Sequence, residues 1–331
     1  MKIVVAHSSE KRETLVDSAA LPPFDASQID HHDVDLHLCA VSESGEVQAY
    51  CSLWWKKVPL FAAHTVGVIG HYASTDDAPS CALLDAALDS LRRHDCTVAI
   101  GPMDGNTWRH YRFVTELSAE PPFFLEPANP LEWPLQFERA GFKPLAEYFS
   151  ALNTNLALED ERIARHTARL AERGVKIRPA EGENLEEQLG RIYNVSRVAF
   201  TQNFLYTEIP ESAFRAQYAK ILPHVHPELV LLAECGAELV GYLFAIPDLA
   251  QAARGVPVDT FLIKTVAILP NPDLRGLGSV LVARAHQQGL RIGFRRCIHA
   301  LMHENNVSRN ISGHYAKTMR RYTLFSREIS S

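Results

Sequence analysis

The sequence predicts an α/β (α+β) protein of two domains, each a mixed, mostly antiparallel central sheet flanked by helices. Three observations lead to this prediction. The chain has 331 residues, more than one hydrophobic core usually organises. Segments rich in β-branched and aromatic residues are interspersed with segments of helical periodicity. Their order recurs on both sides of a charged stretch, which places the first domain at 1–155, a linker helix at 156–174 and the second domain at 175–331.

In the first half, strands are predicted for KIVVAHSS, DLHLCAVS, EVQAYCSLWW and HTVGVIGHYAS. The helix SCALLDAALDSLRRHD follows, with Leu84, Leu88 and Leu91 on one face. A buried strand (CTVAIGPM), a helix (PLEWPLQFERAG) and a closing strand (LAEYFSALN) complete this half. The charged segment LEDERIARHTARLAERG is then expected to form a solvated helix between the domains.

The second half begins with the strand VKIRPA and two helices, NLEEQLGRIYNVSRVAF and ESAFRAQYAKIL. ELVLLAEC and ELVGYLFAI are separated by Gly236-Ala237, a connection short enough for a β-hairpin. The strand FLIKTVAI leads through the loop LPNPDLRGLG into the helix SVLVARAHQQGLRI. RCIHALM, a polar helix and a final strand, KTMRRYTLFSREI, end the chain.

Composition excludes several classes of protein. Hydrophobic residues make up 47% and charged residues 22% of the chain, which argues against general disorder. The net charge of -6 argues against a nucleic-acid partner, because neutralising a phosphate backbone needs a concentrated basic surface. No run of about 18 apolar residues occurs, so we expect no membrane partner and a soluble, cytoplasmic protein. The six cysteines are scattered without a C-x-x-C pair and are expected to be reduced.

The stretch FLIKTVAILPNPDLRGLGSV carries the strongest functional signal. A strand enters a loop that ends in Arg-Gly-Leu-Gly, and a helix begins at once, so unpaired N–H groups and the positive end of a helix dipole meet at one point. Such a junction suits a pyrophosphate. Gly276 and Gly278 would let the backbone approach the phosphates, and Arg275 adds a positive charge. The alternative is a tight turn in which the glycines serve geometry only.

This stretch resembles motif A of the GNAT superfamily, the GCN5-related N-acetyltransferases, whose loop reads R/Q-x-x-G-x-G/A. Val280 departs from the motif, because the last position is usually small. The segment ENNVSRNIS is similar to the Asn-x-x-Ala/Ser helix of that family, with Asn305 and Ser308 in the matching positions. The resemblance covers roughly residues 175–325. It implies a sheet that opens between its fourth and fifth strands to hold acetyl-CoA or another acyl-CoA. The implied cofactor-binding residues are Val266, Ala267, Ile268, Arg275, Gly276, Leu277, Gly278, Ser279, Val280, Asn305 and Ser308.

The first half resembles the same superfamily more faintly, in GHYASTDD, VAIGPMDGNTWRHYRF and FERAGF, so the chain is expected to hold two GNAT-like domains in tandem. Its phosphate-loop position reads DDAPSCA, with Asp76 and Asp77 where a pyrophosphate would lie. Like charges would repel there. We therefore expect a degenerate N-terminal half that shapes the substrate site.

The resemblance also suggests catalytic groups. A backbone N–H near Ala267 or Ile268 would polarise the thioester carbonyl. Ser312 occupies the position where the family often has a tyrosine acid, and Tyr315 lies one turn further along. Tyr315 is either the proton donor to the leaving thiolate or a core tyrosine. His303 and Glu304 follow the fifth strand and are candidate bases, although Glu304 is equally suited to opening the next helix.

The loop PMDGNTWRHYR supplies candidate substrate-binding residues: Asp104, Asn106, Trp108 and Arg109. The alternative is a loop that covers the domain interface. The histidine-rich segments DHHDVDLH and HVH match no standard zinc spacing, so no metal site is predicted.

These observations predict an acyl-CoA-dependent N-acyltransferase that acts on a small-molecule amine by direct transfer. Two alternatives are a non-catalytic acyl-CoA-binding regulatory module and an aminoacyl-tRNA-dependent peptide ligase. The net acidity and the intact Arg-Gly-Leu-Gly loop disfavour the ligase. The sequence leaves the acceptor, the acyl chain and the oligomeric state open.

Overall fold

The structure is a computed structural model that describes residues 1–182, 184–219, 221–306 and 308–329. It confirms the predicted fold class: helices flank a large, mostly antiparallel mixed sheet. The elements of the N-terminal half and the helix that follows it are β1 Lys2–Ala6, α1 Ser9–Glu13, β2 Val16–Asp17, α2 Ser27–His31, β3 Leu36–Val41, β4 Glu46–Trp54, β5 Val66–Ser74, α3 Asp77–Arg92, β6 Val98–Gly101, β7 Phe113–Glu116, α4 Glu132–Arg139, β8 Lys143–Asn153 and α5 Arg162–Glu172.

The C-terminal half repeats the pattern. Its elements are β9 Val175–Pro179, α6 Leu185–Ala199, α7 Glu211–Ala219, β10 Val230–Cys235, β11 Glu238–Pro247, α8 Leu249–Ala253, β12 Thr260–Ile268, α9 Leu277–Arg291, β13 Arg296–His303, α10 Ser308–Tyr315 and β14 Lys317–Glu328. The predicted hairpin at Gly236 joins β10 and β11. Helix α9 begins at Leu277, two residues before the predicted start, because Gly276 already has the left-handed conformation that precedes it.

The two halves share one sheet because they exchange their closing strands. The strand order is β1-β3-β4-β5-β6-β14-β8-β13-β12-β11-β10-β9. Strand β14, from the end of the chain, lies between β6 and β8, and β8 in turn pairs with β13 of the C-terminal half. Each half therefore has its sheet completed by the last strand of the other. The boundaries at 155 and 175 remain a prediction.

Helix α9 is fixed on one face of the C-terminal sheet. Val280, Leu281 and Ala285 have no exposed surface and belong to the core on that face. Helices α6 and α7 cover the opposite face, where Ile192 and Phe214 are buried. Complete burial of a large apolar side chain stabilises the fold by about 1.5–3 kcal/mol. This packing fixes the position of the N-terminal end of α9.

Helix α5 is the segment expected to be a solvated linker, and that expectation is only partly right. Its outer positions are exposed, but Leu170 is buried and Ile163 packs against the core beneath α9. Among the described residues, no helix is both long and apolar enough to cross a membrane.

Candidate functional site

The C-terminal sheet opens between two parallel strands. Strands β12 and β13 pair in parallel only from Thr260 to Ile263, and the last pair joins Ile263 to His299. Beyond this point β12 stays paired with β11, with an irregularity between Ile263 and Thr265, while β13 follows β8. The two strands therefore part, as the sequence predicted for an acyl-CoA site.

Backbone groups of β12 line this opening. The Leu269 amide donates to Val240 of the β11 side at 2.9 Å. Since successive amides of a strand point to opposite edges, the amide of Ala267 also faces β11, whereas those of Val266 and Ile268 face the opening. Of the two predicted carbonyl-polarising amides, only that of Ile268 is directed to the site.

The N-terminus of α9 lies beside the opening and has no side-chain cap. Gly276 precedes the helix with a φ of 86°, and no side chain bonds the amides of its first turn. Helices α3, α6 and α8 are capped by the side chains of Asp76, Asn184 and Asp248, whereas α1, α2, α4 and α5 resemble α9 in having no side-chain cap among the described residues. The uncapped donors of α9, the helix dipole and the exposed Arg275 thus meet at one point.

The other predicted loop residues hold this end in place. Gly278 is buried, and a Cβ there would lie 3.2 Å from both Ile268 and Ile311, so β12 and α10 close on it from two sides. Leu277 and Val280 are buried in the core, and Ser279 is half-buried in the first turn. A valine in place of the usual small residue is accommodated because it points into the core.

Helix α10 carries the remaining predicted cofactor residues. Asn305 precedes it and is exposed, and its amide donates to His303 Nδ1 at 3.0 Å. Ser308 begins the helix, but its side chain lies outside the described part of the structure.

Tyr315 and Ser312 both face the core beneath α9. Tyr315 is 7% exposed and Ser312 is 1% exposed, and among the described residues neither hydroxyl has a hydrogen-bond partner. The Tyr315 ring meets the His286 ring edge-on, with centroids 4.8 Å apart. Burial, with a smaller contribution from Asp160, raises the pKa of Tyr315 to about 12.

His303 is the last residue of β13 and Glu304 follows it, but their environments differ. The His303 ring packs edge-on against Tyr148 and contacts Phe204, and burial lowers its pKa. Because Nδ1 accepts from Asn305, the neutral ring presents Nε2–H, a donor rather than a base. Glu304 is bound to Arg321 at 2.7 Å and to Arg309 at 3.1 Å, which occupies the carboxylate proposed as the alternative base.

The corresponding opening in the N-terminal half is closed. Parallel pairing of β5 and β6 ends at Val68 and Ile100, yet the Met103 amide still donates to Ile69 at 2.8 Å. A Cβ on Gly70 would lie 2.0 Å from the Met103 carbonyl oxygen, so no ligand chain fits between them. At the start of α3, the Asp76 carboxylate accepts from the Ala78 amide at 3.1 Å and occupies the place of a phosphate.

The loop expected to bind the substrate divides between the halves. Asp104 stays in the N-terminal half, where Oδ1 accepts from the His71 amide at 2.6 Å. Arg109 also stays there and donates to the carbonyl oxygens of Asp104 and His32. Trp108 alone of the four crosses over, donating to the Thr207 carbonyl at 2.7 Å and packing on Phe214. Asn106 accepts from the Trp108 amide and shapes the turn.

Sequence reasoning missed Arg112, a buried arginine that reaches the C-terminal opening from the N-terminal half. Its guanidinium lies between the rings of Tyr111 and Tyr148, at 4.1 and 4.2 Å, and donates to the Leu301 carbonyl on β13. Within the described part of the chain, its Nε has no hydrogen-bond partner. Because Tyr148 also packs on His303, residues of both halves meet beside the opening.

A second missed cluster is His286, Cys297 and His299, all buried, whose ligand atoms lie within 4.8 Å of one another. The two imidazoles share a hydrogen bond, Nε2 to Nε2, of 3.0 Å, and Nδ1 of His286 has no partner. Thirteen residues separate the histidines in sequence, so no local spacing pattern indicates the cluster.

No protein-family model and no curated protein matches the sequence, but solved structures do. The GCN5-related glucosamine N-acetyltransferase region of a fungal multi-domain GH3 β-N-acetylglucosaminidase matches 88% of this chain with a TM-score of 0.54 and 13% identity; the match covers 33% of that chain. A tandem GNAT protein from the clavulanic acid biosynthesis pathway matches over 100% of this chain and 99% of its own, with a TM-score of 0.52 and 13% identity. A GCN5-related N-acetyltransferase from Kribbella flavida has a TM-score of 0.52 and 11% identity, covering 99% of this chain and 71% of its own.

These likenesses, with the parted strands and the helix that follows them, define the fold as that of the GCN5-related N-acetyltransferases. The chain has this fold in tandem, which confirms the resemblance drawn from its motifs.

Proposed function

We propose that the protein transfers an acyl group from acyl-CoA, with acetyl-CoA as the first donor to test, directly to a small-molecule amine. The observation that carries the proposal is the uncapped N-terminus of α9 beside the parted strands β12 and β13. The equivalent helix of the N-terminal half is capped by its own Asp76, so a single cofactor site per chain is proposed, in the C-terminal half.

The residues around this opening fit the donor. The amides of Leu277, Gly278 and Ser279 would hold the pyrophosphate, with Arg275 beside them. The open edge of β12, at Val266, offers hydrogen bonds to the amide groups of a pantetheine arm. When bound, acyl-CoA supplies an activated thioester.

The chain's own groups then have distinct roles. The Ile268 amide points into the opening and would polarise the carbonyl. Tyr315 would return a proton to the leaving thiolate. His303, which presents Nε2–H between Tyr148 and Phe204, would hold a polar group of the acceptor by a hydrogen bond. The amine would then lose its proton to water, because Glu304 is held in two ion pairs.

The test is a pair of variants at Ser279, Ser279→Glu and Ser279→Gln. A glutamate in the first turn suits a helix N-terminus and should leave folding intact. Its carboxylate would lie where the pyrophosphate binds, and repulsion of about 2–4 kcal/mol predicts at least a ~30-fold weaker Kd for acetyl-CoA. Calorimetry should give one site per chain for the wild type and near-normal affinity for Ser279→Gln. Equal affinity of the two variants would contradict the proposal.

A second candidate function is a non-catalytic acyl-CoA-binding module. Its support is that Ser312 stands in the tyrosine position and that the Tyr315 hydroxyl is buried in the core. Turnover separates the two candidates. Release of free CoA thiol that depends on an added amine, measured over a panel of small amines, would establish the enzyme; tight binding without release would establish the module.

A further inference from the structure

Helix α5 lies against the end of α9 at which the proposed phosphate site is found. The His166 ring is so close to Gly276 that a Cβ on that glycine would lie 2.8 Å from its Cγ. About two turns beyond, at the C-terminal end of α5, Arg173 pairs with Asp273 in the loop before α9. At the other end Ile163 packs into the core under α9. The helix between the halves is therefore held against the loop.

This helix brings more positive charge than its own carboxylates neutralise. Arg162 is bound to Asp160 at 2.7 Å, and Arg173 is bound to Asp273. Within the described ranges, Arg165 and Arg169 form no ion pair, and Nη2 of Arg169 is buried without a hydrogen-bond partner. A buried guanidinium nitrogen without an acceptor is costly, and an anionic oxygen would satisfy it.

The pKa of His166 reflects the positive charges around its ring. Burial lowers its pKa, and the nearby charges of Arg169, Arg165 and Arg162 lower it further, against a smaller opposing effect from Asp160. The arginines one and three residues away therefore place positive charge beside the ring that touches Gly276. These arginine charges lie at the N-terminal end of α9, in a chain whose net charge is -6.

We propose that Arg165 and Arg169 bind phosphate groups of the CoA moiety, so that the helix between the two halves forms part of the cofactor site. This inference rests on the proposed function. Both arginines lie within one helical turn, about 5 Å, of the residue that touches Gly276, and each side chain extends further than that. Guanidinium groups also match phosphate oxygens in charge and geometry. Cofactor binding would then hold the linker in place as well as α9.

The experiment compares the double variant Arg165→Gln/Arg169→Gln with wild type and with Arg291→Gln. Arg291 is exposed and lies at the far end of α9, about 20 Å along the helix, so it controls for loss of charge. Calorimetry with CoA and with 3′-dephospho-CoA gives the Kd of each protein, and melting curves establish that each is folded. The double variant should bind CoA 10–100-fold more weakly, whereas the control should change less than 2-fold.

The two ligands identify which phosphate is bound. If the arginines contact the 3′-phosphate, the double variant should lose affinity for CoA alone, so that its Kd values for CoA and 3′-dephospho-CoA become equal. If they contact the pyrophosphate, the Kd values for both ligands should rise by the same factor relative to wild type. Unchanged affinity in the double variant, or an equal loss in the Arg291→Gln control, would overturn the inference and leave the proposed function standing. No binding of CoA by the wild-type protein would overturn both.

Discussion

Tyr315 shows how one side chain separates a catalytic from a packing role. Its hydroxyl is buried in the core with no partner, and its ring lies against His286. A hydroxyl without a partner costs about 1–3 kcal/mol of stability, whereas phenylalanine would fill the same space without this cost. A purely structural tyrosine should therefore be replaceable without loss.

As the proton donor, Tyr315 should be catalytically indispensable and structurally dispensable. We predict that Tyr315→Phe lowers kcat by ~10²–10⁴-fold and leaves the Kd for acetyl-CoA and the melting temperature unchanged or slightly improved. Steady-state kinetics and a melting curve on the same preparation check both parts. An unchanged kcat would mean that Tyr315 serves only for packing in the core and that water is the proton donor.

The residues that sequence reasoning identified are those whose signal is local. The segment Arg275 to Ser279 is recognisable from the spacing of its two glycines at a strand-to-helix junction. Arg112 carries no such signal, because the tyrosines and the strand carbonyl that surround it come from distant parts of the chain. The loop pattern predicts Asp104 as a substrate-binding residue but gives no sign that its carboxylate accepts from the His71 amide.

The N-termini of α3 and α9 are the clearest contrast among the elements. The Asp76 carboxylate already satisfies an amide of α3, while α9 has no cap. We predict that Asp76→Ala lowers the free energy of unfolding by about 0.5–2 kcal/mol and that Asp76→Ser retains most of the stability. Urea titration measures both.

Loss of this cap should not create a second cofactor site, because Met103 still closes the strands beside it. Calorimetry of Asp76→Ala with acetyl-CoA is therefore expected to give the same stoichiometry as the wild type. Two sites per chain in the variant would mean that Asp76 alone had blocked the N-terminal half.

Helix α5 has a tertiary contact that its sequence periodicity could not predict. Its charged composition is typical of a solvated helix, and most of its positions are exposed. Its contact with Gly276 depends on how the two halves meet, which no pattern within the helix records.

At the scale of the whole molecule, buried histidines make stability depend on pH. Burial lowers the pKa of His37 and His286 to about 3, of His71 to about 2 and of His299 to about 4. The unfolded chain takes up protons near pH 6.5 and the folded chain does not, so stability is present above pH 6.5 and is lost as pH falls. Each group contributes a slope of about 1.4 kcal/mol per pH unit. Asp104, whose pKa burial raises to about 6, opposes this trend.

We therefore predict a loss of several kcal/mol of unfolding free energy between pH 7 and pH 5. Urea titrations at half-unit intervals measure it. His37→Asn, which keeps an acceptor for Ser52, should flatten the slope, and His7→Asn at an exposed position should not. Constant stability over this range would mean that these histidines take up protons in the folded protein.

The exchange of closing strands could not be read from the sequence. The sequence of β14 predicts a strand, and that prediction is the same whichever strands are its neighbours. Residues 1–160 and 161–331 are accordingly expected to be insoluble or molten when produced separately and to form one folded complex when produced together. Size exclusion and amide hydrogen exchange test this. A folded fragment 1–160 would contradict it.

The shared sheet also sets the order in which a newly made chain can fold. Strand β6 lacks its neighbour until Phe325 and Ser326 have been made. Translation of the chain between them takes roughly 10–45 s at about 5–20 residues per second. During that time an apolar strand edge is open to any other chain that comes near, which makes the nascent protein a natural client for a ribosome-associated chaperone. A frameshift confined to the codons of β14 would for the same reason damage the first half of the protein, although every residue of that half was translated correctly.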